Sequence, residues 1–212
     1  MGRVSQSHAL PEPDPGPAQA RGLRAQKKHQ TRLAMHRAAL ELVVEKGLSG
    51  VTAQMIAERA GVSTRTFFNH WATKESAILG VVGDEGIRAV ASLREKLEEM
   101  EARDALRAVL REGIANIPVD PGLRDLKKHV MAEEPSLQLI SSGNLHAMQN
   151  ELVDVIEEAL DGEYVRDHAV ILVQVSFALT RSAFAISMRR GIDLVRAFDQ
   201  VIELYDSGEF NR

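Results

Sequence analysis

Thr64, Arg65, Thr66 and Asn69 place four hydrogen-bonding side chains within six positions, interleaved with Phe67 and Phe68 and followed by Trp71. Such groups recognise a surface; they do not make or break bonds. Their use depends on which way they face. On a helix opening at Ser63, a turn of roughly 100° per residue puts Phe67, Trp71 and Phe68 at roughly 40°, 80° and 140°. Arg65 and Asn69 fall at roughly 200° and 240°, away from the rings, with Thr64 and Thr66 at the helix tip. Phe67 and Trp71 are expected to pack inward against Leu40, Val44 and Ile56, and Phe68 is read as packing too. The aromatic mass then positions a polar front.

No other set of residues offers catalysis. His8, His29, His36, His70, His129, His146 and His168 are scattered, and neither a zinc-binding His-Glu-x-x-His run nor a phosphate-binding loop occurs. Glu98 and Glu99, Glu133 and Glu134, and Glu157 and Glu158 read as solvated helix faces. Cysteine is absent, which excludes disulfides and thiolate metal sites and is compatible with a reducing cytosol. The sequence is read as that of a non-enzyme without cofactor or metal.

The elements that must hold the polar front are helical. Leu33, Leu40, Val43 and Val44 recur at helical spacing between Lys28 and Lys46, and Gly47 follows as a stop. Thr52 can cap a second helix over about 52 to 60, Gly61 allows a tight turn, and Ser63 can cap a third. Thr73, Lys74 and Glu75 open a longer helical stretch. Beyond it the pattern stays helical, with breaks expected at Pro118 to Gly122, Pro135, Ser141 to Asn144, Asp161 to Gly162 and Gly191. Val165 to Arg190 is apolar on nearly every side and should be buried all round, by a four-helix interface between two copies or, as the alternative, as an internal core helix. Leu194, Phe198, Val201, Ile202 and Tyr205 stripe the last helix. No segment reads as a strand. Residues 1 to about 25, with Pro11, Pro13, Pro15 and Pro17, are expected to be a disordered tail.

Charge divides along the chain. Residues 21 to 75 carry ten Lys or Arg against four Glu, net +6, whereas residues 76 to 212 are net -9. A positive quarter on an acidic remainder suggests a part that faces a polyanion, with ordinary variation of solvated charge as the alternative. The apolar block Ala169 to Leu179 is too short to cross a bilayer, so no membrane span is read, and the protein is expected to be cytoplasmic.

Two short helices joined by a tight turn in a basic neighbourhood are the parts of a helix-turn-helix. Residues 56 to 79, IAERAGVSTRTFFNHWATKESAIL, are similar to the helix-turn-helix signature of the TetR family of bacterial transcription regulators. Ile56, Ala57, Ala60, Gly61, Val62, Ser63, Phe67, Lys74 and Glu75 fall where that signature expects them, and Ala39, Leu40 and Gly47 resemble the family's first helix. There are two departures. Phe68 stands where the family usually has a phosphate-binding tyrosine, and is read as structural with contact to a sugar or thymine methyl as the alternative; Trp71 replaces the usual phenylalanine.

The resemblance, covering residues 30 to 79, implies an all-α fold: an N-terminal helix-turn-helix DNA-binding domain over 26–78 and a larger C-terminal helical bundle over 79–212 for ligand binding and dimerisation. By position it implies that Thr52, His70 and Lys74 hold phosphates and that Gln54, Thr64, Arg65, Thr66 and Asn69 meet base edges. Arg24, Lys27 and Lys28, in the basic run entering the first helix, complete the DNA-binding candidates. Arg65 can take guanine O6 and N7 bidentately. The alternative for each is a solvated surface residue. Implied partners are a palindromic double-stranded operator, a second copy of the chain, and a small apolar or amphipathic effector releasing a repressor from DNA. The alternative is an architectural or protein-regulated DNA-binding factor without small-molecule control.

Met100, Leu110, Ile114, Leu126, Met131, Met148 and Phe177 are the candidates to line an effector pocket, with plain core as the alternative. Gly80, Gly83 and Gly86 suggest a bendable joint in the connecting helix, with local close packing or an early helix end as the alternative.

Overall fold

The computed structural model describes residues 17–80, 85–117 and 120–209. These form ten α-helices and one 3-10 turn, without strands among the described residues. Helix α1 runs Pro17–Lys46, the 3-10 turn Leu48–Gly50, α2 Ala53–Arg59, α3 Thr64–Phe68 and α4 Lys74–Leu79. Then follow α5 Glu85–Leu97, α6 Ala102–Ala115, α7 Pro121–Glu133, α8 Pro135–Ala159, α9 Val165–Arg190 and α10 Leu194–Ser207.

The short helices near the amino terminus depend on their caps, because too few residues lie inside them to form without end contacts. Thr52 accepts from the Met55 amide at 3.2 Å and Ser63 from the Thr66 amide at 3.0 Å. Thr73 and Ser76 cap reciprocally, each side-chain oxygen accepting from the other's amide at 3.1 Å. Gly61, at φ 68°, turns the chain between α2 and α3, where a side chain would be strained.

Three apolar clusters hold the molecule. The first joins α1 to α4 through Met35, Leu40, Ile56, Phe67, Trp71 and Ile78, and continues into Leu123 and Val130 of α7 and Leu137 of α8. The second lies among α5, α6, α8 and α9, and the third among α6, α9 and α10. Polar contacts tie α7 to the first group. Arg37 pairs with Asp120, the Leu48 amide donates to Glu134 at 2.9 Å, and Lys127 donates to the Leu79 carbonyl at 2.6 Å. Helix α7 thus touches the first helix, the turn before α2 and the end of α4.

Several expectations need correction. Residues 17–25, expected to be irregular, open α1, since a proline is tolerated in a first turn and the helix formers behind it carry the helix onward. Residues 1–16 lie outside the described residues. Ser141 to Asn144 do not break the chain but sit inside α8, where flanking contacts at Leu137 and Leu152 override weak local propensity. Helix α4 ends early at Leu79 because Gly80 takes φ 69°, so no continuous helix joins the two parts there. Gly86 falls in the first turn of α5, and Gly83 lies outside the described residues. Within a single copy helix α9 is not buried all round, which departs from an internal core helix and leaves the expected burial by a second copy open. One face is covered, through Ala169, Val173, Ser176, Thr180, Ala183 and Ser187. Ile171, Phe184 and Met188 stay exposed. By length and composition alone the whole of α9 is long and apolar enough to cross a membrane, which the eleven-residue block within it was not.

Candidate nucleic-acid interface

The rings behind α3 are where the angular reading puts them, with two differences. Phe67 is fully buried and Trp71 nearly so, in the same cluster as Leu40 and Ile56. Val44, expected beside them, is half exposed. Trp71 lies beyond the helix end, its amide still bonded to the Phe67 carbonyl at 2.9 Å. Phe68 corrects its packing role: 56% of it is exposed, and it meets Phe67 only edge to face at 5.3 Å between ring centres.

The polar front is presented to solvent. Thr64, Arg65 and Asn69 are exposed and Thr66 half-buried. Among the described residues the Arg65 guanidinium makes no hydrogen bond or ion pair, which leaves its fork available. The Thr66 hydroxyl lies 2.8 Å from that of Ser63, and Asn69 caps the end of α3. Thr52 and Gln54 lie at the exposed start of α2, where the Gln54 amide donates to Glu58 at 2.9 Å within its own helix. Lys27 and Lys28 are exposed on α1, and Arg24 lies one turn earlier on it.

Lys74 departs from its expected phosphate contact. Its ammonium donates to the carbonyls of Leu48 and Val51, each at 2.9 Å, and is half-buried. Two of three donors are thereby used to satisfy the ends of the 3-10 turn, and the side chain braces α4 against the segment before α2. His70 is half-buried, and its Nδ1 is closed off without a hydrogen-bond partner. Burial, with the nearby positive charges of Arg32 and Lys28, holds its pKa below the ordinary histidine value.

Two residues near this surface are absent from the sequence-based assignment. Arg32 lies with its guanidinium carbon 5.5 Å from the centre of the Trp71 ring. Its position one turn after Lys28 was the available signal. His36 is buried between α1 and the end of α4, where its Nδ1 donates to the Ala77 carbonyl at 2.7 Å. Burial is the main reason its pKa falls to about 4. Lys127 and Arg37 reinforce that shift, and the bond to Ala77 opposes it.

The seven proposed pocket residues do not come together. Leu126 and Met131 belong to the first apolar cluster, Met148 and Phe177 to the second, Ile114 to the third, and Leu110 touches the second and third. Met100 is exposed in the link between α5 and α6. Core and pocket walls use the same residue types, which is why composition could not separate them. Two open clefts lie elsewhere, against α6, α9 and α10. One, of about 270 Å³, includes Arg107, Arg111, Phe198 and Asp199. The other, of about 210 Å³, includes Arg103, Arg107, His168, Ile171, Leu172 and Tyr205. Among the described residues no cluster of His, Asp or Glu could hold a metal ion.

Residues 37–79 match the family described as bacterial regulatory proteins, tetR family. Over 93 residues the chain is 40% identical to the HTH-type transcriptional regulator TcmR of Streptomyces glaucescens, a match covering 42% of this chain and 41% of that protein. The match thus spans less than half the relative's length. The native structure of NalD, the secondary repressor of the MexAB-OprM multidrug efflux pump in Pseudomonas aeruginosa, shares the fold. It aligns with a TM-score of 0.51 at 18% identity, covering 85% of this chain and 97% of that one.

Proposed function

We propose that this chain is a member of the TetR family of bacterial regulatory proteins and acts as a dimeric repressor that binds a DNA operator and is released from it by a small-molecule effector. The observation that carries this reading is the exposed front of Thr64, Arg65 and Asn69 on a helix whose rear is anchored by Phe67. That helix can enter a major groove while α2 braces it. Thr52, Lys27 and Lys28 lie in the same net-positive segment and suit the sugar-phosphate backbone, which fixes register without reading sequence.

We assign DNA binding to residues 26–78 and dimerisation and effector binding to 79–212, with α7 as the link. Its contacts to Arg37, Leu48 and Leu79 would carry a shift in the bundle to the base of the readers. The dimer rests on the uncovered apolar groups of the last two helices, Phe184 and Met188 on α9 and Leu204 on α10. A second copy would bury them in a four-helix interface. For the effector, the cleft lined by Arg103, Arg107, Ile171 and Leu172 combines charge with apolar wall and suits a small amphipathic molecule. A cytoplasmic location follows from action on the chromosome.

Arg65→Ala tests the reading directly. It is expected to weaken operator binding by about 1–3 kcal/mol while leaving the fold intact. Gel-shift titrations on operator and random duplex decide it: equal loss on both would contradict base reading by Arg65.

A further inference from the structure

Arg32 Nε, His70 Nδ1 and Trp71 Nε1 are all closed off from solvent and all without a hydrogen-bond partner among the described residues. They lie together. Arg32 stacks over the Trp71 ring at 5.5 Å, His70 is the next residue in sequence to Trp71, and His70 feels the charges of Arg32 and Lys28. Buried polar nitrogens are ordinarily satisfied, so three unmet ones on neighbouring side chains call for a missing acceptor.

The charge of the surroundings says what kind. Lys28 and Arg32 are four residues apart on α1 and so share its face. No carboxylate or other acceptor engages the Arg32 guanidinium among the described residues. A stacked arginine keeps its fork in one plane and is weakly hydrated, which suits it to the oxygens of a phosphate. Arg32 and His70 each keep part of their surface in solvent, so an anion meets them there, and a shift of either side chain is needed to open the closed-off nitrogens to it. His70 directly follows Asn69, the last polar residue of the reading front.

On the DNA-binding reading above, we propose that Lys28, Arg32, His70 and the indole N–H of Trp71 form an anion seat that takes one backbone phosphate beside the groove that α3 enters. Arg32 supplies charge and fork, and the indole and imidazole supply single donors. Trp71 is therefore more than the apolar filler its burial implies, since a phenylalanine there could not donate.

Trp71 is the chain's one tryptophan, so its indole N–H gives a single proton resonance that reports on the seat. The experiment follows that resonance in the full chain as duplex DNA is added. It also measures affinity against salt for wild type, Arg32→Gln and Arg32→Lys, with circular dichroism as the check of folding. The indole resonance is expected to move as duplex saturates wild type and to stay nearly still in Arg32→Gln. Arg32→Gln should lose affinity by the same factor on operator and random duplex, and its salt slope should shrink by about 0.9, the share of one phosphate contact. Arg32→Lys should keep that slope. An indole that does not move on saturation, an unchanged slope in Arg32→Gln, or a loss confined to operator would overturn the seat. If wild type binds no duplex at all, inorganic phosphate replaces DNA, with chloride at equal ionic strength as control. A phosphate-specific shift of the indole then upholds the seat while the DNA reading fails, and no shift sinks both.

Discussion

Phe68 leaves more than half its surface in water at the end of α3, and Lys74, five residues beyond the C-cap Asn69, turns inward to two carbonyls. Neither side chain points where the sequence-based assignment put it. Lys74→Met removes a charged donor, strands the Val51 carbonyl and leaves the Leu48 carbonyl with the Val51 amide alone, which should cost about 2 kcal/mol of stability. The salt slope of DNA binding should not change, because no phosphate contact is lost. Chemical denaturation and a salt series check both halves; a reduced slope with unchanged stability would return Lys74 to the backbone-binding set. Side-chain direction on a short helix was legible for Phe67, Arg65 and Asn69, since 100° per residue is enough to separate front from rear. It was not legible for Lys74 or Arg32, whose partners lie 23 to 39 positions away in sequence and are brought near by the fold alone.

The α4 terminus shows the same limit one level up. A helix start can be read from caps, as Thr52, Ser63 and Thr73 demonstrate, because donor and acceptor lie within three residues. The end of α4 depends on tertiary fit as well: a Cβ at Gly80 would lie 2.9 Å from the His36 ring, and His36 is bonded to Ala77 in the same helix. His36 makes this junction sensitive to pH. Its folded pKa of about 4 lies below the ordinary 6.5, so between those values the unfolded chain binds a proton that the folded chain does not. The stabilisation is present in full above pH 6.5 and is lost as pH falls towards 4, amounting to about 3 kcal/mol over the whole window. Urea unfolding at pH 7 and pH 5 should show wild type losing about 2 kcal/mol more than His36→Gln. Equal losses would mean that His36 titrates freely in the native state. Weak helix formers at Ser141 to Asn144 misled for a related reason, as contacts elsewhere on α8 outweigh local preference.

At the scale of the whole molecule, the all-helical class and the order of the two parts were legible from periodicity, charge and the motif, while the effector site was not. Six of the seven residues proposed to line one pocket are spread over three apolar clusters, and nothing in residue type distinguishes those clusters from a cavity wall. Helix α7 likewise packs its Leu123 and Val130 with the helix-turn-helix core, so the two parts meet in a shared cluster. The apolar faces left open on α9 and α10 match the need of a five-residue reading helix, which alone touches too few base pairs for high specificity. Two such helices on a dimer would reach half-sites about 34 Å apart on one face of the duplex. Selection of bound duplexes from a random-sequence pool tests the front of α3 and the dimer together. The account predicts enrichment of an inverted repeat with half-site centres about one helical turn, or a whole number of turns, apart. Recovery of unrelated sequences, bound no more tightly than the starting pool, would contradict it.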